Sequence, residues 1–220
     1  MKSMDTTTDT EPAVALSRVT LEVADVEEAR RFYAALGVDT RIRLRARAAQ
    51  GTGFCGFTLA LTVSGPAAVD GFVAAAVGAG ATVLKPAAKS LWGYGGVVQA
   101  PDGTIWKIAT SSKKDTGPAT REIDEFVLLI GVRDVKAAKQ FYVDRGLAVG
   151  KSFGGKYAEF LPGGPGAVKP ALYERRALAK DLGVPDEAAG SHRIVLGGTA
   201  GAFTDPDGFV REPAASAAHA

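Results

Sequence analysis

Two matching turns deliver side chains of opposite charge. Ala100-Pro-Asp-Gly-Thr-Ile-Trp-Lys107 recurs near the other end of the chain as Asp205-Pro-Asp-Gly-Phe-Val-Arg-Glu212. In Pro-Asp-Gly, proline presets φ, aspartate bonds its own backbone and glycine takes a positive φ. The apolar run after each turn reads as a strand. That run ends on Lys107 in one copy and on Glu212 in the other. An ammonium there favours an anionic or carbonyl-bearing group. A carboxylate there can hold a cation or move a proton.

Other residue types also suggest chemistry. Leu91-Trp-Gly-Tyr-Gly-Gly96 sets Trp92 and Tyr94 in a glycine-rich loop. It reads either as a flat apolar wall for a planar ligand or as an ordinary packed loop. The glycines do not open a helix, which argues against a nucleotide loop. Arg41, Arg43, Arg45 and Arg47 alternate with apolar residues, so period two puts four guanidinium groups on one strand face. This is either a solvated edge strand that resists aggregation or a pocket for an anion. Cys55, the only cysteine, has no recognisable activating neighbour and reads as a packing residue. No spacing suggests a Ser-His-Asp arrangement, and His219 lies in the tail.

The elements that must position these residues follow from periodicity. Val19, Leu21 and Val23 alternate with Arg18, Thr20 and Glu22, as in a half-buried strand. Asp25 then caps a helix with Ala29, Phe32, Tyr33 and Leu36 as its apolar stripe, and Gly37 ends it. Phe57, Leu59, Leu61 and Val63 form another strand, and Ser64 and Pro66 open a second helix that ends at Gly80. Strands near 81–85, 94–99 and 104–109 complete the first half. Asp25-Val, Ala29, Phe32-Tyr33 and Gly37 return as Asp134-Val, Ala138, Phe141-Tyr142 and Gly146, a constant offset of 109 residues. Matching residues across a whole capped helix mark a duplicated unit. Val23 and Val63 begin a fainter repeat inside the first half, so each half reads as two strand–helix–strand units.

The second copy is not clean. Gly37 to Phe57 is 20 residues, whereas Gly146 to His192 is 46. Strands near 147–161 and 168–174 and a short helix near 175–182 fit that longer interval. Phe57 to Pro101 is 44 residues, but His192 to Pro206 is only 14, so the segment for a further helix is missing. The last unit is therefore expected to be a stub. The domain reading is a disordered lead over 1–14, a first domain over 15–110, a linker over 111–123, a second domain over 124–214 lacking its last helix, and a disordered tail over 215–220.

Composition sets outer limits. The chain has 220 residues, 46% of them hydrophobic, so it can bury a core. A net charge of +2 argues for neither nucleic acid nor a membrane surface as a partner. With one cysteine there is no intrachain disulfide. No apolar run approaches the ~18 residues of a membrane span. Residues 1–12 lack the apolar centre of a signal peptide, so a cytoplasmic location is expected.

The duplicated pattern, a strand, a helix from Asp-Val to Phe-Tyr, then strands closing on Pro-Asp-Gly, resembles the vicinal oxygen chelate superfamily. That superfamily includes glyoxalase I, the bleomycin-resistance proteins and the extradiol dioxygenases. The resemblance covers about 15–110 and 124–214. It implies an α+β fold of tandem βαβββ modules in curved mixed sheets, helices on the outer face, the ligand in the concave face and the last module truncated. In metal-dependent members, histidine or glutamate at the first strand of a module joins a glutamate after the turn to hold a divalent cation. Here the matching positions are Arg18, Thr58 and Val127, and Lys107 follows the first turn. Arginine and lysine cannot ligate a cation at neutral pH, so a metal-free first half is expected. Glu212 keeps its register in the second half, and His192 lies one residue from the expected ligand position, where Arg193 stands. Any residual metal site would rest on His192 and Glu212, with help from a residue such as Glu159.

The resulting expectation is a metal-free, cofactor-free protein that binds a small organic molecule, as a monomer or homodimer. Arg18, Thr58, Trp92, Tyr94 and Lys107 are its candidate ligand residues. The alternative is an enzyme with Glu212 and His192 as catalytic residues. It would be either a lyase or dioxygenase using one divalent metal, or a metal-free acid–base catalyst. A third possibility is an interaction module whose cavities are filled by side chains.

Overall fold

Local sequence explains most element boundaries in the computed structural model. The structure describes residues 16–48, 53–164, 167–187, 192–199 and 201–213. The expected lead, the tail and His219 lie outside them. The chain forms β1 (Leu16–Val23), α1 (Val26–Leu36), β2 (Ile42–Ala46), β3 (Phe57–Thr62), α2 (Pro66–Gly78), β4 (Thr82–Ser90), β5 (Gly93–Gln99) and β6 (Ile105–Thr110). After the linker come β7 (Glu125–Val132), α3 (Val135–Val143), β8 (Val149–Phe153), β9 (Tyr157–Phe160), β10 (Lys169–Glu174), α4 (Arg175–Leu182), β11 (Ile194–Gly198), β12 (Phe203–Thr204) and β13 (Val210–Pro213). Asp25 caps α1 by accepting from the Glu28 N–H at 2.8 Å, and Asp134 caps α3 through Lys136 and Ala137. Gly37 closes α1 in the left-handed region, φ 74°. No helix among the described residues is long and apolar enough to cross a membrane.

The strands make two mixed sheets. One has eight strands in the order β4-β5-β6-β3-β7-β10-β9-β8, and the other has five in the order β12-β13-β11-β1-β2. The pairing crosses the linker. The unit β3-α2-β4-β5-β6 meets the unit β7-α3-β8-β9-β10 through antiparallel β3 and β7. The first and last units meet through antiparallel β1 and β11. Both units of the five-stranded sheet are short. The first supplies only β1 and β2, and the last supplies β11, β12 and β13 with no helix between them among the described residues.

One continuous apolar core joins the inner faces of both sheets to α1, α2 and α3. Its alternation is the one read from sequence: Phe57, Leu59, Leu61 and Val63 from β3, and Val19, Leu21 and Val23 from β1. The repeated tyrosines tie the layers together. The Tyr33 hydroxyl donates to Asp102 at 2.5 Å, and the Tyr142 hydroxyl donates to Asp205 at 2.7 Å. Each therefore reaches from its helix to a Pro-Asp-Gly turn of a different unit. Burial, then the neighbouring carboxylate, pushes both phenols well above their ordinary pKa, so both stay protonated donors.

Candidate functional site

The concave face of the eight-stranded sheet is defined by register. Ala60 on β3 lies opposite Lys107 on β6 and opposite Val127 on β7, and Val127 lies opposite Lys169 on β10. The four central strands thus place Lys107, Ala60, Val127 and Lys169 in one row, which Val97 and Lys85 extend through β5 and β4. Two ammonium groups flank two alkyl groups. None of these four side chains can ligate a cation at neutral pH, and the lysines attract anions. Each lysine has a carboxylate partner. Lys107 Nζ meets Asp181 Oδ2 at 2.5 Å, and Lys169 meets Glu125 and, at 3.9 Å, Glu159. Glu159 also accepts from the Tyr157 hydroxyl at 2.8 Å. Burial first, then that carboxylate, raises the Tyr157 pKa.

Part of this concave face is filled by the chain itself. Glu174 caps α4 by accepting from Arg176 and Ala177, and Gly183 ends it at φ 79°. Leu178, Ala179 and Leu182 form its buried side, and they pack on Phe54, Val97 and Ile105 as a second apolar cluster. The helix end is then fastened to the sheet. Lys85 Nζ donates to the carbonyl oxygens of Lys180 and Asp181, a favourable place for a cation at a helix C-terminus. A Cβ on Gly183 would lie 2.6 Å from Lys85 Cε, so glycine suits both the left-handed cap and the lysine's approach. Magnitudes decide what can move. Re-exposing the two leucines would cost roughly 1.5–3 kcal/mol each. The Lys107–Asp181 pair, with side chains 33% and 42% exposed, contributes only about 0–1 kcal/mol. The helix stays, while the Asp181 side chain is free to turn away.

Beside α4 the concave face remains open as a cavity of about 490 Å³. Its lining includes Lys85, Lys89, Trp92, Tyr94, Lys107 and Asp181. Trp92, on the β4–β5 turn, is 84% exposed. The Tyr94 hydroxyl donates to Asp70 at 2.8 Å, and that bond raises its pKa. At Gly93, φ 138°, a Cβ would lie 2.0 Å from the Thr110 carbonyl oxygen, so glycine is needed for β5 to pair closely with β6.

The structure brings together three of the residues marked from sequence, Trp92, Tyr94 and Lys107. Thr58 is fully buried and donates to the Ile105 carbonyl at 2.7 Å, so it does not line the cavity. Arg18 lies on β1 of the other sheet, opposite Gly197. Glu212 lies on β13 of that sheet, also opposite Gly197, and Arg45 grips both its oxygens at 3.0 and 2.7 Å. This bond, more than the charge itself, pulls the Glu212 pKa below its ordinary value of 4.5 and raises that of Arg45. Arg45 stands on β2, three strand spacings from β13, which is roughly 14 Å in a flat sheet. The pair can close only because the sheet curls, and it bridges the small concavity. Glu22 joins it at 3.7 Å from Arg45 and also pairs with Arg47. Two members of the arginine ladder are thus ion-paired, and β2 is a sheet edge.

His192 is held elsewhere. Its ring nitrogens face the carbonyl oxygens of Cys55 at 2.6 Å and Asp207 at 2.9 Å, and its ring stacks on Phe209 at 3.8 Å. Either nitrogen would have to leave its carbonyl to ligate a metal. Arg193, at φ 56°, donates to the Asp102 carbonyl and to Cys55 Sγ. These two residues staple the two Pro-Asp-Gly turns together. Asp207 lies in the turn before β13, whereas Glu212 stands on β13 with both its oxygens on Arg45, so the two residues are held by different partners. No group of three or more His, Cys, Asp or Glu side chains placed to hold a metal ion occurs among the described residues.

Lys85, Lys89 and Asp181 were not marked from sequence. Asp181 had a signal: it lies between the i, i+4 pair Leu178 and Leu182 on a helix inserted where the first half has none. The lysines had only alternation along an edge strand.

This arrangement, α+β modules with Pro-Asp-Gly closures joined through their first strands, is similar to the fold of solved glyoxalase I and dioxygenase-type structures. Glyoxalase I from Zea mays superposes with a TM-score of 0.56 at 13% identity, covering 91% of this chain and 92% of that one. A V278E variant of that enzyme gives 0.57 at 12% identity, covering 91% and 92%. A proposed dioxygenase from Bacillus subtilis gives 0.53 at 14% identity, covering 88% of this chain and 71% of that one. At these identities the likeness shows the fold alone. No known sequence family and no curated protein sequence matches the chain.

Proposed function

We propose that the protein binds a small organic molecule in the concave face of the eight-stranded sheet, without a metal ion. The observation that carries this reading is the cavity of about 490 Å³ in which an exposed indole, a tyrosine and a lysine meet. That volume is within the range of small-molecule sites, about 300–1,000 Å³. Trp92 supplies an apolar face, and Lys107 supplies a charge for an anionic or carbonyl-bearing group. In the superfamily's metal-dependent members the glutamate after the turn serves a cation. Here the central row offers lysines, and a cation would be repelled.

Native mass spectrometry with metal analysis of the purified protein tests the reading. The expected result is zinc, nickel and iron well below one per chain, and thermal stability unchanged by EDTA. One bound transition-metal ion per chain would overturn it.

A further inference from the structure

We infer that Asp181 is an internal counter-anion standing where the ligand's own anionic group binds, and that the ligand is a planar aromatic monoanion that displaces it from Lys107. This rests on the reading of the cavity as a ligand site, and it adds the charge of the ligand and the residue it must replace.

Lys85, Lys89 and Lys107 line the cavity, and among the described residues Asp181 is its one carboxylate. Lys85 is committed to two carbonyl oxygens at the end of α4. The Lys89 ammonium has no hydrogen bond or ion pair among the described residues. Lys107 has one partner, Asp181, at 2.5 Å. The cavity therefore keeps a positive excess while Lys107 is neutralised by a residue of the same chain.

The source of that residue is also informative. Asp181 comes from a helix that is not part of the repeated module and that occupies the concave face where the ligand is expected. Its leucines and Lys85 hold the helix, but the Asp181 side chain is 42% exposed. An incoming carboxylate or sulfonate can take its place on Lys107 while Asp181 turns to water. Trp92, 84% exposed at the rim, then has a ring to cover it. Asp181 sets specificity by competition: neutral ligands gain nothing from its departure, and cationic ones are opposed by the lysines.

Two fluorescent probes of similar shape separate charge from shape: 8-anilinonaphthalene-1-sulfonate, an anion, and N-phenyl-1-naphthylamine, which is neutral. Titrations use the wild type and the variants Asp181→Asn, Asp181→Ser, Lys107→Met and Trp92→Ala. The anion is expected to bind about fivefold more tightly to both Asp181 variants, the gain of removing one exposed competing ion pair. It should bind more weakly to Lys107→Met, while the neutral probe changes less than twofold across these three. Equal response of both probes to the Asp181 variants, or no response of either, would overturn the counter-anion role but leave the cavity as a binding site. Binding of both probes that is indifferent to Trp92→Ala would overturn the cavity reading itself.

Discussion

The two sheets are assembled in the same way, through antiparallel first strands of two units, yet their concave faces have opposite fates. In the five-stranded sheet both units are short, and Arg45 reaches across two strands to close on Glu212. In the eight-stranded sheet both units are complete, and its face holds a helix and still leaves a cavity of about 490 Å³. Strand number thus decides how much room a curved sheet has. The carboxylate after the second turn, Glu212, lies in the sheet with least room and is held in an internal ion pair. The lysine after the first turn, Lys107, lies in the sheet that keeps an open cavity.

The largest expected effect tests whether α4 is a fixed part of the larger face. Leu182→Ala, at a fully buried position, should lower unfolding free energy by about 2–5 kcal/mol in urea denaturation. A loss below about 1 kcal/mol would mean that α4 is only loosely seated. The next contrast concerns one register position in both sheets. After the turns, Trp106 and Arg211 are equivalent, and both are fully buried. Trp106 stacks on Phe126. Arg211 lies 5.3 Å from the Phe203 ring centre, and none of its guanidinium nitrogens has a hydrogen-bond partner. Burial lowers its pKa. Arg211→Met should therefore stabilise the protein, by about 1–4 kcal/mol, as read by urea denaturation. Destabilisation would show that the charge is used.

The matched tyrosines sharpen the comparison further. Tyr142→Phe strips a bond from Asp205, which is 5% exposed, and should cost about 1–3 kcal/mol. Tyr33→Phe strips one from the more exposed Asp102 and should cost less. A reversed order would show that burial of the accepting carboxylate does not set the cost. The smallest effect is a pH dependence. Arg45 holds the Glu212 pKa below 4.5, so the pair's contribution is full above that pH and is lost as pH falls through the folded value. Because the pair is exposed, the loss is expected to stay under about 1 kcal/mol. Wild type and Glu212→Gln should converge in stability as pH falls through the folded value and differ slightly at pH 7. A difference that grows on acidification would contradict the ion pair.

Much of this fold was legible in the sequence. Capping residues, period-two strands and the 109-residue repeat depend on local chemistry, and the caps at Asp25, Gly37 and Asp134 stand where they were read. Interval lengths revealed the truncated last unit. The site was less legible, because its residues meet through non-local pairing. Trp92 on the β4–β5 turn, Tyr94 on β5 and Lys107 on β6 belong to one unit, so sequence order kept them together. Arg18 belongs to a unit that pairs with the far end of the chain, and no local pattern shows that. The place of α4 was equally hidden: the longer interval made room for a short helix near 175–182, but did not show which face would receive it. His192 and Glu212 sit in the same last unit, yet the strand direction carries them to opposite ends.

The most direct test of the central claim sets the two sheets against each other in one assay. Thermal unfolding of wild type, Trp92→Ala and Glu212→Ala is followed with a panel of aromatic carboxylates, with and without EDTA. The account predicts a ligand-induced rise in Tm for wild type and Glu212→Ala, unaffected by EDTA and lost in Trp92→Ala. A rise that survives Trp92→Ala but disappears with Glu212→Ala or EDTA would contradict it and place the site, with a metal, in the smaller sheet.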